Sequence, residues 1–203
     1  MNWLQPLAEV TLLGLVPLIL LGTGKIKGRY RFGVLAASGL LMIADVLIFK
    51  IPATELGLRL DNLAGSLSWY LGFATIGVLS VLIYSRLKHI APVQKWWQDP
   101  HFLFWFIPIS LGQQFIFFGF LQSRFQSFLP AGAAIIISAA IFASAHLMYR
   151  PRQRAVIITF LGGLGFALLF MHTPNLILGS IVHMILNLAV VQRNTFVFSK
   201  PDA

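Results

Sequence analysis

No cysteine occurs in the 203 residues, so disulfide staples, thiol catalysis and thiolate metal sites are excluded, while the redox compartment stays open. Charge is nearly as scarce. Only 10% of the residues are charged and six side chains in all are acidic, so chemistry that needs clustered carboxylates has few places to sit. The first 21 residues carry no basic start and no small-residue cleavage pattern, and they read as a retained first helix. No internal repeat and no low-complexity tract is visible.

What fills the chain is apolar surface. At 58% hydrophobic residues and a mean hydropathy of +0.82, it holds more than a soluble fold of this length can bury. The lipid bilayer is therefore its solvent. The formal charge of +9 does not point to nucleic acid, because the basic residues sit in short breaks between apolar runs rather than on one face.

A spanning helix needs roughly 20 mostly apolar residues. Such runs recur at Trp3 to Leu21, Phe32 to Ile51, Leu67 to Ser85, Phe102 to Ser123, Ala131 to Met148, Ala155 to Phe170 and Leu176 to Val191. The fold class is thus all-α, a polytopic transmembrane helix bundle of about seven spans, forming one membrane domain over 1–203. Residues 51–66, with Glu55, Arg59 and Asp61 among leucines, suit an interfacial amphipathic segment. Orientation follows from Lys and Arg. Lys25, Lys27, Arg29, Arg31, Arg86, Lys88, Lys95, Arg150, Arg152, Arg154, Arg193 and Lys200 fall on one side, against Lys50, Arg59 and Arg124 on the other. Positive charge stays inside, which puts the N-terminus outside and the C-terminus inside.

Polar side chains at membrane depth are costly and either pair with one another or mark a site. The later spans offer Gln113, Gln114, His146, His183 and Asn187. His183 and Asn187 are four apart, as are Phe142 and His146, so each pair shares a helix face. Gly162, Gly163, Gly165 and Gly179 allow close backbone approach. Taken singly, such residues serve most often as interhelical hydrogen-bond glue, at about 0.6 to 2 kcal/mol a contact. Two histidines with amides make a poor zinc set, so neither a metal nor a cofactor is expected.

In this order the residues resemble the CPBP family of intramembrane proteases, the CAAX-protease and bacteriocin-processing type, also called Abi. That family carries E-E-x-x-x-R with a following glycine, then F-x-x-x-H, then H-x-x-x-N. Phe142-Ala-Ser-Ala-His146 and His183-Met-Ile-Leu-Asn187 match the second and third motifs. The glycine-rich stretch from Gly162 to Gly165 leading to His183, and Glu55-Leu-Gly-Leu58 upstream, are similar to family segments as well, and residues 102–191 form the CPBP-like core. The first motif departs. It reads Gln113-Gln114-Phe-Ile-Phe-Phe118-Gly119, with amides for both acids and phenylalanine for the arginine.

The resemblance implies that a glutamate at the first motif activates water with help from a histidine, while the late histidine and asparagine hold the oxyanion. A glutamine oxygen is far too weak a base for that step. An arginine without its acids would be an uncompensated cation at membrane depth, and Phe118 removes it. The expectation is a pseudoenzyme that binds or scaffolds a membrane protein or a transmembrane segment, in the cell inner membrane or an internal membrane, with no nucleic-acid partner. The alternative is an active CAAX-type endopeptidase with rebuilt chemistry, using Glu9 as a relocated carboxylate or a bound metal. Asp45 reads as locally compensated by Lys50. A small-solute transporter is a third class, disfavoured because no span looks broken midway.

Overall fold

The computed structural model describes residues 3–22, 26, 28–92, 100–147, 149–150, 152–193 and 197–198. Among these residues the chain forms seven helical bodies. They are α1 (residues 4–22), α2 (Gly28–Ile48), α3 (Leu63–Leu87), α4 (residues 100–126), α5 (Ala131–Ser144), α6 (Arg152–His172) and α7 (Leu176–Gln192). Tyr149–Arg150 (β1) and Val197–Phe198 (β2) add one antiparallel two-residue pairing. Met148, Lys25, Lys27, Lys95 and Lys200, which enter the span and charge arguments, lie outside the described residues.

Leu4–Leu21, Leu63–Leu87 and Ala155–His172 are long and apolar enough to cross a membrane, and Gly33–Ile48, Ala131–Ser144 and Leu176–Gln192 are shorter apolar helices. Leu12, Leu40, Leu47, Ile76 and Ile157 lie exposed on the outer faces, as lipid-facing side chains do. Hydroxyl groups within the helices satisfy themselves locally. Ser80, Ser85, Thr159 and Ser180 each donate to the carbonyl four residues back.

Two helices are rewound midway. Val10–Leu15 in α1 and Phe115–Gln122 in α4 are π-helical, a winding that recurs at functional sites. The two segments touch, because a Cβ on Gly14 would run into the Leu121 side chain. Hydropathy alone gives no sign of either, since the apolar run continues unbroken through both.

The connection between α2 and α3, where the sequence reads as an interfacial amphipathic segment, holds no helix from residue 51 to residue 62. Turns occupy residues 53–57 and 61–62, and α3 begins at Leu63 rather than Leu67. Arg59 bonds the exposed Asp61 and holds its carboxyl below the usual carboxylate range. The rest of the segment folds inward onto the turn between α6 and α7. Leu176 N–H donates to Gly57 O at 2.8 Å, and Asn175 Nδ2 donates to Arg59 O at 3.1 Å and Asn62 Oδ1 at 2.7 Å. Asn62 Nδ2 in turn donates to Pro174 O at 3.1 Å, and the Tyr70 hydroxyl to Thr173 O at 3.0 Å. Asn175, fully buried, also caps α7 by accepting from Leu178 N–H at 2.9 Å. Leu56 is buried, its carbonyl lying over Gly119 of α4. Glu55, Gly57 and Leu58 donate their N–H groups to carbonyls within the segment, while the Gly57 and Arg59 carbonyls accept from Leu176 and Asn175.

Candidate functional site

The π-helical turn of α4 decides which side chains enter the core. Gln114 is the last residue before it, and within it Phe117, Phe118, Phe120 and Leu121 are all buried. Gln114 reaches across to α7, where its Nε2 lies 2.9 Å from His183 Nδ1. An amide nitrogen only donates, so Nδ1 accepts and His183 carries its proton on Nε2. Both side chains are buried. Gly179, one turn before His183, makes the approach possible, since a Cβ there would stand 2.9 Å from Gln114 Oε1.

His146 closes the same pocket from α5. Its Nδ1 lies 2.8 Å from Phe142 O. A carbonyl only accepts, so His146 holds a proton on Nδ1, opposite in tautomer to His183. The Phe142 ring lies between the two imidazoles, with centroids 4.7 Å from His146 and 5.7 Å from His183. Phe166 of α6 stacks on His183 at 5.2 Å.

Phe118 stands where the resemblance places an arginine. It is fully buried, 5.5 Å from the Phe142 ring and 5.6 Å from Phe166. Three aromatic rings from three helices thus surround the histidine pair. Gly163 lets α6 come this close to α5, because a Cβ would meet Phe142 Cδ1 at 3.0 Å and Ala139 Cα at 3.2 Å. Gly165 accommodates the Phe73 ring. Gly162, expected to share this role, has nothing within 4 Å of where its Cβ would be.

Gln114, His146 and His183 therefore come together. Asn187 does not join them. Its Nδ2 donates to Ser110 Oγ at 3.2 Å, which ties α7 to α4 one turn below Gln114. Gln113 is half-buried, and no hydrogen bond links it to the histidines among the described residues. Glu9 turns away too. Its Oε1 accepts from Gln5 at 2.7 Å and its Oε2 stands 3.9 Å from Arg124 Nη1. Arg124, counted above with the loops, lies in the last turn of α4 and is buried, because Glu9 and Glu55 meet it there.

Sequence reasoning missed Ser110, Phe166 and Gln122. Ser110 precedes Gln114 by one helical turn, a spacing that could have marked it. Gln122 is fully buried and its Nε2 donates to Ala167 O at 2.8 Å, joining α4 to α6. Among the described residues no group of three or more His, Cys, Asp or Glu side chains is placed to hold a metal ion. The pocket so built is hydrogen-bonded and walled by aromatic rings, and His183 Nε2–H stands in it as a donor.

Residues 95–189 match the family model described as type II CAAX prenyl endopeptidase Rce1-like. The resemblance to the CPBP family is shown over that part of the chain, which contains every residue of the pocket. No curated protein and no solved structure matches the chain.

Proposed function

We propose, from the premise that the chain is an integral membrane protein of the CAAX-protease type, that it is a silent member. It holds a transmembrane or other apolar segment of a membrane partner where its relatives would cut. The observation that carries this reading is the Gln114 to His183 hydrogen bond, beside a buried Phe118. In the family a carboxylate at this motif would take a proton from the attacking water. Here an amide occupies the place and donates to the histidine, so both groups are neutral and neither activates water.

The surrounding chemistry agrees with that reading. Water activation calls for charge that grows in the transition state and for groups preorganised to meet it. Phe118, Phe142 and Phe166 supply apolar walls instead, and His183 Nε2–H remains a donor that could meet a backbone carbonyl of a bound segment. Binding without turnover needs no more than this. The N-terminus outside, C-terminus inside orientation, the single domain and the partner are parts of the same proposal.

The test is a reversion. Purified protein is incubated with prenylated and unprenylated apolar peptides, as the natural sequence and as the triple variant Gln113→Glu, Gln114→Glu, Phe118→Arg. Cleavage by the triple variant alone is the expected result. Cleavage by the natural sequence that disappears in His146→Ala and His183→Ala would replace this proposal with an active peptidase of rebuilt chemistry.

A further inference from the structure

Helix α3 lies outside residues 95–189, yet it brings two aromatic rings up to the histidine pocket. Ser66, Tyr70 and Ala74 recur every fourth residue along it and are buried, whereas Trp69, Leu71 and Ile76 are exposed. One face of α3 therefore meets the bundle. Glycines set how closely it does so. A Cβ on Gly77 would stand 2.5 Å from Leu186 Cδ2, and Tyr70 Cε1 lies 3.7 Å from where a Cβ on Gly179 would be. From the Tyr70 contact to the Gly77 contact both helices advance by the same number of residues, so α3 and α7 run parallel and in step.

Tyr70 borders the amide of the pocket. Gln114 Oε1 lies 2.9 Å and Gln114 Cδ 3.6 Å from that same Cβ position on Gly179. The amide and the Tyr70 ring thus share the space that the missing side chain leaves. The ring is fixed at its far end too, since its hydroxyl donates to Thr173 O at 3.0 Å and the residue is buried. Phe73, the second ring, acts elsewhere. It fits against Gly165 of α6 and stands edge-on to Phe166 at 5.0 Å, and Phe166 in turn lies on His183. His183 alone does not dictate which end of the Gln114 amide it meets. With the amide turned half a revolution, Oε1 would face Nδ1 and the imidazole would answer by carrying its proton there. The amide nitrogen would then bury its two donors against the Tyr70 ring over Gly179, a cost that the observed orientation avoids.

We propose that Tyr70 is a positioning residue of the pocket, holding Gln114 with its oxygen over Gly179 and its nitrogen on His183, and so fixing the His183 tautomer. This role rests on the reading of Gln114 and His183 as a neutral hydrogen-bonded pair, and it places control of that pair on a helix outside the Rce1-like region.

Nitrogen NMR of protein labelled at histidine reads the tautomer, with the His183 signals assigned by their loss in His183→Ala. In Tyr70→Leu the single Nε2–H form is expected to split into two forms as Gln114 turns. Tyr70→Phe keeps the ring and should restore the single form, although the bond to Thr173 is gone. Phe73→Leu loosens α3 against α6 without opening the space over Gly179, and there the single form should persist. A single Nε2–H form in Tyr70→Leu, or two forms in Phe73→Leu as well, overturns the proposal. The natural protein supplies a measurement that requires no variant to fold: a proton cross-peak between the Tyr70 ring and the Gly179 α-protons is expected, and its absence likewise overturns the proposal. Peptide cleavage by the natural protein would end the silent-member reading and leave these spectra as expected, so the two readings fail separately.

Discussion

Gln114 and His183 show how much a single amide decides. Because the amide nitrogen donates to Nδ1, the histidine is fixed with its proton on Nε2. A glutamate at the same position offers only acceptors, so Gln114→Glu is expected to move the His183 proton to Nδ1. Nitrogen NMR of labelled imidazoles reads the tautomer directly, and an unchanged Nε2–H form would contradict the assignment. Gln114→Leu keeps the shape but leaves a buried ring nitrogen without its donor, which costs about 1 to 3 kcal/mol. Gly179→Ala places a methyl 2.9 Å from Gln114 Oε1 and should cost a similar amount, about 1 to 3 kcal/mol, by overpacking. Thermal unfolding in detergent would measure both.

At the scale of elements, the turns at residues 51–62 are anchored to the bundle through the buried Leu56 and Gly57. Gly57 has φ +74°, a conformation that suits glycine, and a Cβ there would fall 2.8 Å from Phe170 Cε2. Gly57→Ala is therefore expected to lower stability by at least about 1 to 2 kcal/mol, more than the half-exposed neighbour Leu58→Ala. Equal melting temperatures for the two variants would show that the segment is not held as described. Phe118 makes the corresponding argument for α4. It fills the space between α5 and α6, so Phe118→Ala should cost about 3 to 5 kcal/mol by opening a cavity. The loss should appear as a lower unfolding midpoint rather than as altered helix content.

For the whole molecule, the open matter is how the bundle sits in the bilayer. Twelve of the fifteen basic residues fall on one side of a seven-span arrangement, which predicts an outside N-terminus by retention of positive charge. The lack of cysteine makes this easy to test. Leu60→Cys and Lys88→Cys each introduce a single thiol at an exposed position, between α2 and α3 and after α3 respectively. A membrane-impermeant maleimide applied to intact cells is expected to label Leu60→Cys and spare Lys88→Cys. The reverse pattern would invert the topology.

The amino-acid sequence by itself determined the membrane solvent, the helical class and the positions of the helices to within a few residues. Each depends on local hydropathy, which a linear reading samples directly. It also marked Gln114, His146 and His183, because polar residues stand out against an apolar run. Only the tertiary structure decided which of the marked residues meet. Asn187 turned to Ser110, Glu9 to Arg124, and Gly162 to open space, since partner choice depends on the rotation of one helix against another. Arg124 is the clearest case. Next to a run of apolar residues it reads as the start of a loop, yet two carboxylates distant in the chain neutralise it inside the bundle, and long-range charge pairing leaves no local trace in the sequence.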